Sequence, residues 1–187
     1  MWFMLPLRLL WSFGKRSPPQ DGEYDVYPVY KLDDNMLCRN LSVSYTMRFN
    51  DVLDPYLLLD SLTRLLEIGD WRKLGGRLVW KEDGGLEIHV PKPFTADRPG
   101  VAFTHEDLGS VSIEQHHLGR QFPKPTDGPS THPDGELFRS FAARRDLPST
   151  VSGLAERRTP QLSLHITSFA DATLVAVCWP HTLMDGT

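Results

Sequence analysis

Residues 173–179 (TLVAVCW) are uncharged and apolar at every position after the first. A strand with one wet face alternates, whereas a run without alternation belongs to a strand covered on both sides. Pro180 follows at once and cannot donate to a ladder, so the strand is expected to stop there. Just upstream, residues 161–169 (QLSLHITSF) set Leu162, Leu164 and Ile166 against Ser163, His165 and Thr167, with Ala170-Asp171 turning the chain between the two strands. A covered sheet of this kind constrains the chain more than any other feature in it.

Other elements follow from period and punctuation. Residues 41–49 place Leu41, Val43, Tyr45, Met47 and Phe49 on one side, the pattern of a half-buried strand. Asp54 is a good N-cap, Pro55 suits the first helical position, and Leu53 can staple to Leu58. Leu58, Leu59, Leu62, Leu65 and Leu66 then form one stripe, and Gly69 supplies the stop. Residues 77–90 predict a hairpin turning at Asp83-Gly84-Gly85, with Leu86, Ile88 and Val90 on one face. A loop over 91–100 leads to a short strand at 101–104. Four prolines (Pro123, Pro125, Pro129, Pro133) mark 119–135 as a long loop, and Leu137, Phe138 and Phe141 suggest a short helix ending before Pro148.

Composition excludes several classes. The chain has 187 residues, with 20 Lys+Arg against 24 Asp+Glu, a formal net charge of −4. That length suits one domain with a real core. The acidic balance argues against an electrostatic nucleic-acid binder. Two cysteines, Cys38 and Cys178, make no disulfide scaffold and fit a reducing, cytoplasmic compartment. Residues 1–13 (MWFMLPLRLLWSF) are the most apolar stretch, yet Pro6 and Arg8 interrupt them and a bilayer needs about 20 apolar residues. Lys15 and Arg16 come after the run, the reverse of a secretory signal. Residues 1–22 are expected to be an N-terminal arm and linker ahead of a domain over 23–187. Trp2, Phe3 and Trp11 offer the alternative of a weak membrane contact.

Directly after the buried strand, His181, Asp185 and Gly186 spell H-x-x-x-D-G. From average residue frequencies this pattern arises by chance in about 1–2% of chains this long. It lies where a buried strand must leave its sheet, and side chains at such ends are held by a rigid scaffold. A neutral imidazole, with an ordinary pKa near ~6.5, can take a proton from an attacking alcohol or amine and return it to a leaving group.

The start EYDVYPVYKLDD, the run LEIGDWRKLGGRLVW and the end WPHTLMDGT together resemble the N-terminal half of a BAHD-type acyl-CoA-dependent acyltransferase, particularly the fungal branch, over residues 23–187. The resemblance implies an α/β fold with a mixed, largely antiparallel sheet and flanking helices, one half of a chloramphenicol-acetyltransferase-like two-domain architecture. It implies acyl transfer from acyl-CoA to a hydroxyl or amine of a small metabolite in a ternary complex, with acyl-CoA as co-substrate and no bound cofactor. His181 would be the general base, and Asp185 a structural residue pointing away from it toward an arginine later in the chain. Gly186 would permit a close backbone approach. Family members are about twice as long and carry a second motif, D-F-G-W-G. This chain is therefore expected to be a truncated piece, inactive alone and lacking its C-terminal domain.

Other readings of the same residues are weaker. Condensation domains of peptide synthetases carry a doubled histidine, where this chain has Pro180 before His181. Those domains take a carrier-protein thioester. A non-catalytic acyltransferase-like binding domain is a further alternative. Cys178, within an apolar strand, reads as an inert core residue. His116 and His117 are adjacent, point apart in any regular element and chelate poorly, so no metal site is expected. His165 reads as a satisfied core or surface histidine.

Overall fold

The computed structural model describes residues 22–142, 148 and 150–185. The expected arm and linker over 1–22, all but Gly22, and Gly186 therefore lie outside the described residues. Eleven elements follow in chain order: β1 (Tyr24–Pro28), α1 (Met36–Arg39), β2 (Ser42–Phe49), α2 (Pro55–Leu65), β3 (Arg77–Trp80), β4 (Leu86–Pro91), β5 (Ala102–Leu108), α3 (Arg139–Ala142), α4 (Val151–Arg157), β6 (Ser163–Phe169) and β7 (Thr173–Pro180). The strands form two sheets. One has the order β1-β4-β3, the other β2-β7-β6-β5. Every pairing is antiparallel except β5 with β6, so the expected mixed, largely antiparallel α/β class is what the chain adopts.

The uninterrupted apolar strand is indeed interior. β7 runs between β2 and β6, and Leu174, Val175 and Ala176 are buried on alternating faces. One face packs Val175 and Trp179 with Leu162, Leu164, Ile166 and Leu66, and receives Leu58, Leu59 and Leu62 from α2. The opposite face packs Leu174 and Phe169 against Phe122, Phe138 and Phe141. The small sheet closes a third cluster, in which Leu78, Leu86, Ile88 and Val90 meet Val151 and Leu154 of α4. Gly76 lets these layers approach, because a Cβ there would lie 2.3 Å from the Ile88 side chain. Gly84 turns the β3–β4 hairpin at φ +79°.

α2 begins as its sequence dictates. The Asp54 carboxylate accepts from the Tyr56 and Leu57 N–H groups, at 2.8 and 3.1 Å. Asp54→Ala should lower stability by about 0.5–2 kcal/mol, read as a shifted urea midpoint at constant slope.

Several boundaries differ from expectation. α2 ends at Leu65 with Leu66 as its cap, and Gly69 at φ +49° opens a 3₁₀ segment instead (Gly69–Gly75). β5 continues to Leu108, since parallel pairing to β6 carries it past Thr104. The largest departure is β2, whose apolar side is not half-buried. Tyr45, Met47 and Phe49 are 49, 43 and 40% exposed. β2 is the edge of its sheet; Val43 packs onto the core that α2 covers, while Tyr45, Met47 and Phe49 beyond it stay exposed. Among the described residues no helix is long and apolar enough to cross a membrane.

Candidate functional site

β7 delivers the chain into a tight turn. The His181 N–H donates to the Leu41 carbonyl at 2.9 Å, the Leu183 N–H to the Pro180 carbonyl at 2.9 Å, and the Trp179 indole N–H to the Met184 carbonyl at 3.0 Å. Leu183 and Met184 fold back onto the core beneath α2. The His181 side chain is 28% exposed. Its Nδ1 is shut off from solvent and has no hydrogen-bond partner. Asp185 Oδ1 lies 3.6 Å from that nitrogen, beyond hydrogen-bond range but close enough to attract a charged ring. The resemblance implied an Asp185 pointing away. Here the carboxylate is 76% exposed and makes no hydrogen bond to the ring.

A cleft of about 640 Å³ opens against the sheet face that carries Ser44, Thr46, Ser163 and Cys178, roofed by Phe122 and Phe138 among others. His181 does not line it. Trp179 and Cys178, two and three positions earlier, do, as does Ser42, which pairs with Pro180. The cleft was not legible in the sequence. Its floor is the polar side of strands noted only for their apolar side, and its roof comes from the proline-rich loop.

The other residues singled out are tied up in packing. Cys178 Sγ lies 3.0 Å from Ser44 Oγ and donates to the Ala142 carbonyl at 2.8 Å. Burial pushes its thiol pKa up, which makes it less reactive. His165 is a satisfied core histidine, bonded through Nδ1 to Thr104 Oγ1 at 2.6 Å and through Nε2 to Thr167 Oγ1 at 3.3 Å. Among the described residues no cluster of His, Cys, Asp and Glu could hold a metal ion.

His116 and His117 correct an expectation. They sit in a turn, not a regular element, and their ring centroids are 4.7 Å apart. His116 Nδ1 accepts the Gly119 N–H at 3.1 Å, and its ring packs on Phe141 and Phe169. Desolvation, then His117, lowers the His116 pKa, with Glu106 opposing. Because the unfolded chain takes up this proton first, stability is fully present above about pH 6.5. It declines as pH falls from there toward the lower folded value. Urea midpoints between pH 5 and 7.5 should fall less steeply for His116→Asn, which keeps an acceptor but cannot titrate.

No protein-family model matches the chain. O-acetyltransferase PaAT-2 of Phomopsis amygdali is 43% identical over 161 residues, 86% of this chain and 33% of the relative. Acetyltransferase BOT5 of Botryotinia fuckeliana is 45% identical over 174 residues, 92% of this chain and 32% of the relative. The crystal structure of F. sporotrichioides TRI101 complexed with coenzyme A and T-2 shares the fold at 16% identity and a TM-score of 0.51, covering 87% of this chain and 37% of that one. The chain thus spans about a third of the length of the curated relatives it matches. Over that shared length, this chain is a relative of the fungal BAHD-type acetyltransferases.

Proposed function

We propose that residues 23–187 form the N-terminal domain of an acyltransferase that moves an acyl group from acyl-CoA to a hydroxyl or amine of a small metabolite, with His181 as general base. Relatives named acetyltransferases support transfer of this kind. A fold neighbour complexed with coenzyme A and T-2 is consistent with a coenzyme A thioester and a small acceptor. The observation that carries the reading is the imidazole at the end of an interior strand with Nδ1 withdrawn from water. With Nδ1 withdrawn from solvent on a ring that is 28% exposed, Nε2 is the nitrogen assigned to receive the acceptor's proton.

The chemistry balances on that nitrogen. As the acceptor oxygen or nitrogen bonds to the thioester carbonyl carbon, its proton passes to Nε2. Collapse of the tetrahedral adduct breaks the C–S bond, and the imidazolium returns the proton to the departing thiolate. The products are an ester or amide and the free thiol of coenzyme A.

The cleft, lined by Trp179 two positions before His181, is where the non-reacting part of the acceptor would lie. Its volume falls within the range for small-molecule sites, and short hydroxyl side chains leave its floor open. Ser44→Phe should fill that floor and raise KM for the acceptor tenfold or more, about 1.4 kcal/mol, while leaving kcat nearly unchanged. The reading as a whole is tested by calorimetric titration with coenzyme A and by release of free thiol from acetyl-CoA in the presence of candidate alcohols, using the protein joined to its second domain. Neither binding nor turnover would leave a non-catalytic domain.

A further inference from the structure

β2 is an unguarded edge. Its eight residues pair with β7 without a bulge, and among the described residues no strand pairs with its other side. Edge strands are ordinarily blunted by Lys, Pro, bulges or awkward charges. The opposite edge of the same sheet, β5, carries Glu106 and Asp107. β2 (SVSYTMRF) has no Lys, Pro or Gly, and its one charge, Arg48, is taken up within the chain by Asn50 and Glu114. The Leu41 carbonyl accepts from His181 N–H, so the Leu41 backbone points toward β7, and alternation sends Val43, Tyr45, Met47 and Phe49 the same way. The backbone N–H and C=O groups of Ser44, Thr46 and Arg48 therefore point outward, away from the sheet.

We infer that β2 is a self-pairing edge, on which β2 of a second copy of this chain docks antiparallel about a twofold axis at Thr46. A twofold normal to the sheet pairs residues of the same face, and hydrogen bonding requires an outward-pointing residue at its centre. Thr46 satisfies both and overlaps residues 43–49, whereas centring on Ser44 or Arg48 shortens the overlap. Val43 then lies across from Phe49 of the second copy, and Tyr45 from Met47 of the second copy, as apolar pairs on one face. On the other face Ser44 meets Arg48 of the second copy and Thr46 meets its own counterpart, so no like charges oppose. The row of Tyr45, Met47 and Phe49, 49, 43 and 40% exposed in one copy, is thereby flanked instead of open. A single strand pair buries less than the roughly 1,200 Å² at which standard-size interfaces begin, so the dimer is a weak one with a micromolar dissociation constant. The pairing uses neither His181 nor acyl transfer and stands apart from that reading.

Sedimentation velocity of the 187-residue chain from about 1 to 200 µM reads the association. The weight-average mass should climb from one chain toward two and level off there. Thr46→Lys sets two ammonium groups against each other at the axis and should weaken association by about tenfold or more, with circular dichroism confirming the fold. Disulfide trapping in a Cys178→Ser background reads the register separately and carries the test if Thr46→Lys fails to fold. Thr46→Cys puts two thiols across a hydrogen-bonded pair, about 5.5 Å between Cα atoms, and should give a covalent dimer under mild oxidant. Phe49→Cys would lie about 20 Å from its counterpart and should not. A chain that stays monomeric throughout leaves the edge to another occupant and overturns the inference. So do growth past two copies, undiminished association of folded Thr46→Lys, no trapping at 46, or equal trapping at 46 and 49.

Discussion

Replacing His181 by alanine in the protein joined to its second domain should lower kcat for acyl transfer by about 10²–10⁴-fold, the usual contribution of a positioned acid–base group. KM for acyl-CoA should move little, because the ring takes its proton only as the new bond forms. Asp185→Asn should cost far less, since Asp185 is largely exposed and makes no hydrogen bond to the ring. Rates at saturating donor for the two variants give the comparison. A His181→Ala protein that retains full turnover removes the general base from the proposal. The fold would be untouched by that result, because His181 contributes to the turn through its backbone N–H rather than its ring.

The largest stability effect should come from Phe169→Ala, at about 3–5 kcal/mol. Phe169 is fully buried at the end of β6, with ring centroids 5.5 Å from His116 and 6.2 Å from Phe141, both near edge-on. Its backbone N–H also closes the β6–β7 turn onto Ala172 at 2.8 Å. Truncation opens a hole where Phe122, Phe138 and Phe141 meet the sheet, and these rings pack on one another, so little of the hole can refill. Small domains are stable by only about 5–15 kcal/mol, so this loss is a large fraction of the total. Phe169→Leu, closer in volume, should cost under about 1.5 kcal/mol if the cluster repacks. Urea denaturation of the three proteins side by side measures both differences.

What could be read from the sequence was whatever rests on local period and local capping. The α2 start, the 77–90 hairpin with Leu86, Ile88 and Val90 buried, and the interior β7 are all encoded within a few residues of themselves. α4 was missed because Gly153 interrupts its seven residues and no stripe longer than two turns exists to notice. β1 escaped because it is an edge strand whose outer residues face water and show no alternation. Alternation in β2 predicted a buried side, yet period two shows only that one side is apolar, not that anything covers it. At the site, the H-x-x-x-D-G spelling located His181 and Asp185. The bond from the Trp179 indole to the Met184 carbonyl within that turn is a contact no spacing rule encodes.

The place of β7 in its sheet also dictates the order of assembly. Ser44 on β2 waits for Cys178, its partner 134 residues further along the chain. The nascent polypeptide therefore exposes an unpaired, greasy strand throughout the synthesis of everything between, and β2 cannot be zipped in until β7 has cleared the ribosome. Closing so long a loop is entropically slow, and the interval is one in which chaperone capture competes with productive docking.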